Sequence, residues 1–290
     1  MVLAAGLGTR LRPLTLERPK PVVPYGQRPL ACVALDALSS LGVREVAMNT
    51  HHLAERVQPL LAPHLPTSMR VRYVHEETLL GTGGGLRNAW SLLDDGEPVV
   101  VMNADIVFRP DLAGALALHR RLGAVATMVL RPDPQAARFG AVEVDAGGRV
   151  RRLLGAPAAT GPLRTTMFTG VHVLSPRAFD ELPAEGCIVR HAYRRWVDDP
   201  AVTVAGFVDD SPWADLGTHR RYLEACLRLA PDVHASASID AGAQVEDCVV
   251  GAGASIGAVR VRRCVVWPGA RVDADLQDAI VTREHVVRVG

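Results

Sequence analysis

Cysteine is sparse and unpatterned in this chain: five residues, at positions 32, 187, 226, 248 and 264, with no Cys-x-x-Cys spacing among them. That argues against a zinc ribbon or a disulfide framework and reads as reduced thiols. An excess of either charge is missing as well. Thirty-two Lys and Arg against 31 Asp and Glu leave a formal charge of +1, without the basic surplus of a general nucleic-acid binder. No apolar run approaches the ~20 residues of a membrane span. The apolar start, Met1 to Ala5, is too short for a signal peptide and lacks a basic leader. The expectation is a soluble cytoplasmic protein, with neither nucleic acid nor membrane among its partners. Two phosphate-binding motifs are also absent. Gly-x-x-x-x-Gly-Lys-Ser/Thr does not occur, and Gly-x-Gly-x-x-Gly fails at its third glycine, where Leu11 stands with Pro13 close behind.

What is present is a 290-residue chain, 48% hydrophobic, long enough for one large domain or two. Its first stretch reads as a buried strand, then Gly6 and Gly8, then Arg10, Arg12, Arg18 and Lys20 with almost no acid among them. Glycine lets backbone approach a ligand closely, and backbone N–H groups followed by cations are suited to phosphate. Downstream, helical and strand patterns alternate: helix 29–41, strand 43–49, helix 53–61, strand 69–75, helix 85–93, strand 98–102, helix 110–122 and strand 124–130. Such alternation predicts an α/β fold, a Rossmann-like mostly parallel sheet with helices on both faces, whose ligands sit at the carboxyl ends of the strands.

Two further stretches carry candidate chemistry. Glu76-Glu77-Thr-Leu-Leu-Gly81-Thr82-Gly83-Gly84-Gly85 leads from a strand into a helix. It reads either as a flexible linker or as a surface without side chains where a flat group could approach a helix N-terminus. Val99 to Asp105 is an apolar strand ending in a carboxylate. Asp105 is therefore either an ordinary helix cap or a ligand for a divalent metal, which Mg²⁺ chemistry favours alongside phosphate oxygens. His51 and His52, just after a strand, are weaker candidates.

Gly6-x-Gly8-Thr9-Arg10-Leu11-x-Pro13-Leu14-Thr15, followed by Pro19-Lys20-Pro21, resembles the signature of the sugar-1-phosphate nucleotidyltransferases, or NDP-sugar pyrophosphorylases. The resemblance implies that Arg10 and Lys20 hold the nucleotide phosphates and assist transfer. It implies nucleotide contacts at Ala4, Ala5, Gly6, Gly8, Thr9, Glu77, Gly83 and Gly84, with Glu-x-Leu-Leu-Gly-Thr-x-Gly as the base-recognition loop. It makes Asp105 a ligand of Mg²⁺, joined by Asp215 in Trp213-Ala-Asp215-Leu-Gly217-Thr218. Gly140, after Phe139, and Thr169-Gly170 match its sugar-binding segments. One departure stands out. The family's Glu-Lys-Pro triplet, whose Lys holds the sugar phosphate, is replaced by a stretch running from Arg151-Arg152 to Pro157, so Arg152 or Arg151 is the substitute cation.

The resemblance implies transfer of a nucleotide from an NTP to a sugar-1-phosphate. The glycine-rich loop and the tail look most like mannose-1-phosphate guanylyltransferases, hence GTP and mannose-1-phosphate. Uridylyl or thymidylyl transfer, another phosphorylated alcohol as acceptor, and a non-catalytic regulatory homologue stay open. Beyond Pro231, apolar residues recur every six positions, at Val233, Ile239 and Val245 and again at Val250 and Ile256, then Val266 and Val272. This period predicts a short left-handed parallel β-helix over 231–290, after a nucleotidyltransferase domain over 1–230. The resemblance assigns such a tail to assembly or regulation, so a homo-oligomer through it is a further expectation.

Overall fold

The computed structural model describes residues 1–158 and 160–290; of Arg138 and Phe139 only the backbone is described, so the expectation placed on the Phe139 side chain lies outside it. The parallel half of the main sheet is made of β1 (Val2–Leu3), β2 (Glu45–Thr50), β3 (Arg70–His75) and β4 (Val99–Asn103) in the order β3-β2-β1-β4. Helices α1 (Cys32–Ser40), α2 (Ala54–Leu61) and α3 (Gly81–Asn88) connect these strands. Alternation along β4 divides the core: Val99 and Val101 belong to one apolar cluster with Leu86, Tyr193 and Trp196, while Val100 and Met102 join another with Leu35, Leu38 and Val57. Both faces are thus buried, as continuous apolar strands require.

The second half of the sheet is entered differently. After β5 (Ile106–Phe108), α4 (Leu112–Leu122) and β6 (Ala126–Arg131), the hairpin β7 (Ala141–Val144) and β8 (Val150–Leu153) is followed by the long strand β9 (Arg164–Leu174). β9 runs antiparallel to β4, β6 and β7, and β10 (Val204–Val208) then pairs parallel with β6. Two short elements follow, β11 (Trp213–Asp215) and α5 (His219–Leu227). α5 is capped by Thr218, whose hydroxyl accepts from the Arg221 N–H.

Element types match the sequence pattern, and several boundaries move. The helix expected from Pro29 starts at Cys32, because Arg28 and Pro29 pair as a short strand with Pro24 and Tyr25. The helix expected from Gly85 starts at Gly81 and contains four glycines, Gly81 and Gly83 to Gly85. The Ser175 hydroxyl donates to the Ala124 carbonyl and meets His119 Nε2, and Pro176–Glu181 is a 3₁₀ helix. Burial pushes the pKa of His119 down to about 4, so this buried polar contact is made by a neutral ring. Among the described residues, no helix is long and apolar enough to cross a membrane.

Residues 232–281 form stacks of parallel strands in which residues 15 to 17 apart pair, and the six-residue spacing leads from one column to the next. Val233, Val250, Val266 and Val281 align in one column, Ile239, Ile256 and Val272 in a second, and Val245, Val261 and Leu276 in a third. The first turn is exposed at Val233 and Ile239, whereas later members of the columns are buried. The last strand, Val286–Arg288, returns antiparallel on Leu276–Val281. These strands share one apolar cluster with α5 and with Leu11, Leu14, Val23 and Leu30 from the segment after β1. A chain of hydrogen bonds crosses the junction: Trp267 Nε1 donates to the Tyr222 hydroxyl at 2.9 Å, which donates to the Pro24 carbonyl at 2.5 Å.

Candidate active site

Glycine at position 8 is required by its backbone: φ is 62°, and an added Cβ would stand 2.8 Å from Thr15 Cγ2. The chain then makes a 3₁₀ turn over Thr9–Leu11, carrying Arg10, and a second over Lys20–Val22. Lys20 is buried, with 6% of its surface exposed. Burying an ammonium costs heavily unless it is paired. Here Nζ lies 2.7 Å from Asp105 Oδ2 and 3.8 Å from Asp215 Oδ1.

Pairing between β11 and β5 brings the two carboxylates together across 110 residues of chain. Asp215 stands opposite Ile106, and the Leu216 N–H donates to the Asp105 carbonyl. Asp215 is also 3.0 Å from Arg221 Nη1 and 3.9 Å from Arg10 Nη1. The Arg10 guanidinium lies against the backbone of Gly217, where a Cβ would come within 2.9 Å of its carbon. Arg10, Lys20, Asp105 and Asp215, all proposed from sequence, thus form one ion cluster. Two carboxylates side by side are a hard oxygen donor set that fits Mg²⁺.

A cleft of about 200 Å³ opens beside the cluster, at the carboxyl ends of β1, β2 and β4. Of the residues that the resemblance singled out, Ala4, Ala5, Gly6, Lys20 and Asp105 line it. Gly8 and Thr9 are outside its wall and instead shape the turn. Glu77 is exposed and does not line the cleft; the wall holds Glu76 instead. Glu76 Oε1 accepts from Asn49 Nδ2 at 2.7 Å, and Asn49 Oδ1 accepts from the Ala4 N–H at 2.8 Å. Glu76 Oε2 accepts from the Leu80 N–H. Sequence reasoning missed Asn49 and Glu76, although both follow the rule that ligand groups sit at the carboxyl ends of strands. His51 and His52 hang from loop carbonyls, of Glu76 and Thr15.

Gly83, Gly84 and Gly85 of α3 answer to packing. A Cβ at Gly83 would stand 2.6 Å from Pro183 Cγ, and one at Gly85 would lie 2.6 Å from Glu76 Oε1 and 2.7 Å from Asn49 Nδ2. Gly84 is equally confined, against the Ala184 carbonyl. Gly85→Ala should therefore disturb the cleft wall, raising KM for the nucleotide about tenfold, the equivalent of about 1.4 kcal/mol. Nucleotide titrations giving a wild-type KM would separate the Asn49–Glu76 pair from the binding site.

The residues expected to hold sugar are more dispersed. Thr169 and Gly170 sit at an irregularity in β9, where the register with β6 shifts. Gly170 has φ 86° and lies against Asn103, and the Thr169 carbonyl accepts from Trp213 Nε1. Gly140 packs on Leu154. Arg152 is engaged away from the cluster: Nη1 donates to Glu143 Oε2 at 2.9 Å and Nη2 to the Gly155 carbonyl. Arg151 lies 3.9 Å from Asp145. Neither arginine lines the cleft or the cavity beside Asp215.

The family profile described as nucleotidyl transferase matches residues 1–231. The chain is 31% identical to a mannose-1-phosphate guanylyltransferase of Mycobacterium tuberculosis, over 94% of this chain and 81% of that protein. It is 30% identical to a UTP–glucose-1-phosphate uridylyltransferase of Synechocystis, over 78% of this chain and 61% of that protein. The fold is shared with the crystal structure of HddC from Yersinia pseudotuberculosis, at a TM-score of 0.61 and 22% identity, covering 78% of this chain and 97% of that one.

Proposed function

The chain belongs to the nucleotidyl transferase family as a sugar-1-phosphate nucleotidyltransferase, and from that premise we propose that it joins GTP to mannose-1-phosphate, releasing pyrophosphate. The observation that carries the reading is the convergence of Arg10 and Lys20 on Asp105 and Asp215 at the mouth of the cleft. An oxygen of the sugar phosphate attacks the α-phosphorus of the nucleotide. The bond from that phosphorus to the bridging oxygen of the β-phosphate breaks, and the electron pair leaves with pyrophosphate. Such a transfer depends on positioning and charge neutralisation more than on covalent help.

Each residue has a physical task in it. Lys20, held in place by two carboxylates, presents a fixed positive charge where the triphosphate enters. Arg10, 65% exposed at its side chain, can swing from Gly217 onto the leaving phosphates. Asp105 and Asp215 would hold Mg²⁺, which when bound screens the triphosphate charge. Asn49, Glu76 and the first turn of α3 form the wall expected to face the base. The guanylyltransferase relative supports GTP, and the Synechocystis relative supports uridylyl transfer as the second reading.

The stacked columns of residues 231–290 support a short left-handed β-helix. The exposed Val233 and Ile239 on its first turn support association of copies through it. The function is tested by pyrophosphate release with Mg²⁺, four NTPs and a panel of sugar-1-phosphates. Release restricted to GTP and mannose-1-phosphate is expected. Release with another pair would rename the substrates, and none with any pair, despite nucleotide binding, would favour a regulatory homologue.

A further inference from the structure

A second cavity, of about 410 Å³, opens beside Asp215 of the same ion cluster. Lys20 and Asp105 line the first cleft and Asp215 lines the second, while Lys20 pairs with both carboxylates. Two substrates that exchange a phosphoryl-linked group must meet with their reacting atoms close together. Two cavities joined at one charged cluster satisfy that requirement.

The second cavity differs chemically from the first. Its lining residues include Asp133, Gln135, Asp215 and Glu224, Trp213, and two arginines, Arg221 and Arg228. Carboxylates accept hydrogen bonds from hydroxyls, and an amide both accepts and donates them. A guanidinium supplies the bidentate fork that matches a phosphate. This combination suits a phosphorylated polyol better than a nucleobase.

Of the two guanidiniums, Arg221 is the one at the cluster. It rises from the first turn of α5, six residues after Asp215, and Nη1 lies 3.0 Å from Asp215 Oδ2. Its side chain is 38% exposed, lines the cavity and is held beside Asp215. Arg151 and Arg152, the substitutes expected from sequence, are paired with Asp145 and Glu143 elsewhere. On the transferase reading above, which this inference rests on, we propose that Arg221 holds the phosphate of the sugar-1-phosphate acceptor in the cavity beside Asp215.

Steady-state kinetics of Arg221→Ala and Arg221→Lys test it. Losing a charge-assisted pair should raise KM for the acceptor about 10- to 100-fold, with KM for the nucleotide within about twofold of wild type. Lys keeps the charge without the fork, so Arg221→Lys should recover only part of the loss. An unchanged acceptor KM overturns the proposal, as does an equal rise in nucleotide KM, which would make Arg221 a support for Asp215 alone. Should the wild-type protein turn over no pair, calorimetric titration with sugar-1-phosphates separates the two readings. Binding that Arg221→Ala abolishes upholds the acceptor site while the transferase reading fails. Binding equal in both proteins, or absent from wild type, overturns the site itself.

Discussion

Lys20→Ala is expected to lower kcat by about 10²- to 10³-fold, the usual cost of removing one preorganised charge from a transferring group. The ammonium is buried and sits between two carboxylates, so its position is fixed before substrate arrives. A charge that needs no reorientation at the moment of transfer contributes to the barrier rather than to substrate binding alone. The same substitution leaves Asp105 and Asp215 facing one another, but Asp105 is 36% exposed at its side chain and water can screen it. Folding should therefore survive, seen as a far-UV circular dichroism spectrum and a single cooperative melt like those of wild type. Asp105→Asn is the companion variant: loss of its charge should abolish turnover and raise the Mg²⁺ concentration needed for any that remains. Near-normal kcat in Lys20→Ala would remove the ammonium from the transfer step.

Trp267→Ala is expected to destabilise the protein by about 3–5 kcal/mol, the range for truncating a large buried aromatic. The indole is 1% exposed, donates to the Tyr222 hydroxyl and lies under the Arg18 guanidinium, 5.5 Å from the ring centroid. Truncation opens a cavity and strands the Tyr222 hydroxyl, whose other partner is the Pro24 carbonyl. Urea denaturation followed by tryptophan fluorescence and by circular dichroism measures the loss. At about 2–4 °C per kcal/mol for a chain of this size, the melting temperature should fall by roughly 10 °C. If the main domain instead melts at its wild-type midpoint, the shared cluster joining the C-terminal strands to α5 contributes nothing to it.

Much of this site is legible in the sequence because strand ends and glycines leave strong local signals. Gly8, Lys20 and Asp105 each follow a recognisable element within a few residues. Asn49 and Glu76 were missed because their contact joins two separate segments, the last residues of β2 and the residue just past β3. The choice between Glu76 and Glu77 turns on one residue of register: the Glu76 N–H still bonds to the Thr50 carbonyl, continuing the β2–β3 ladder, which turns its side chain inward and leaves Glu77 outside. Arg221 gave no signal because only the pairing of β11 with β5 brings α5 to the cluster. In the tail, the six-residue period picks out residues that stand in the columns of valine and isoleucine. It could not reveal that Leu11 and Leu14, in a short irregular segment, pack on the same core.

That shared core bears on how this chain can recombine with its relatives. A crossover placed at residue 230, where the repeat begins, would look neutral by sequence. It would nonetheless hand the turns carrying Arg10 and Lys20 an apolar floor shaped for different side chains. Tail and loop should consequently change together across related sequences, with substitutions at Leu14, Tyr222 and Trp267 arising as a group. A hybrid that inherits the tail from one parent and residues 10–30 from another should regain stability only when Pro24, Tyr222 and Trp267 meet compatible partners.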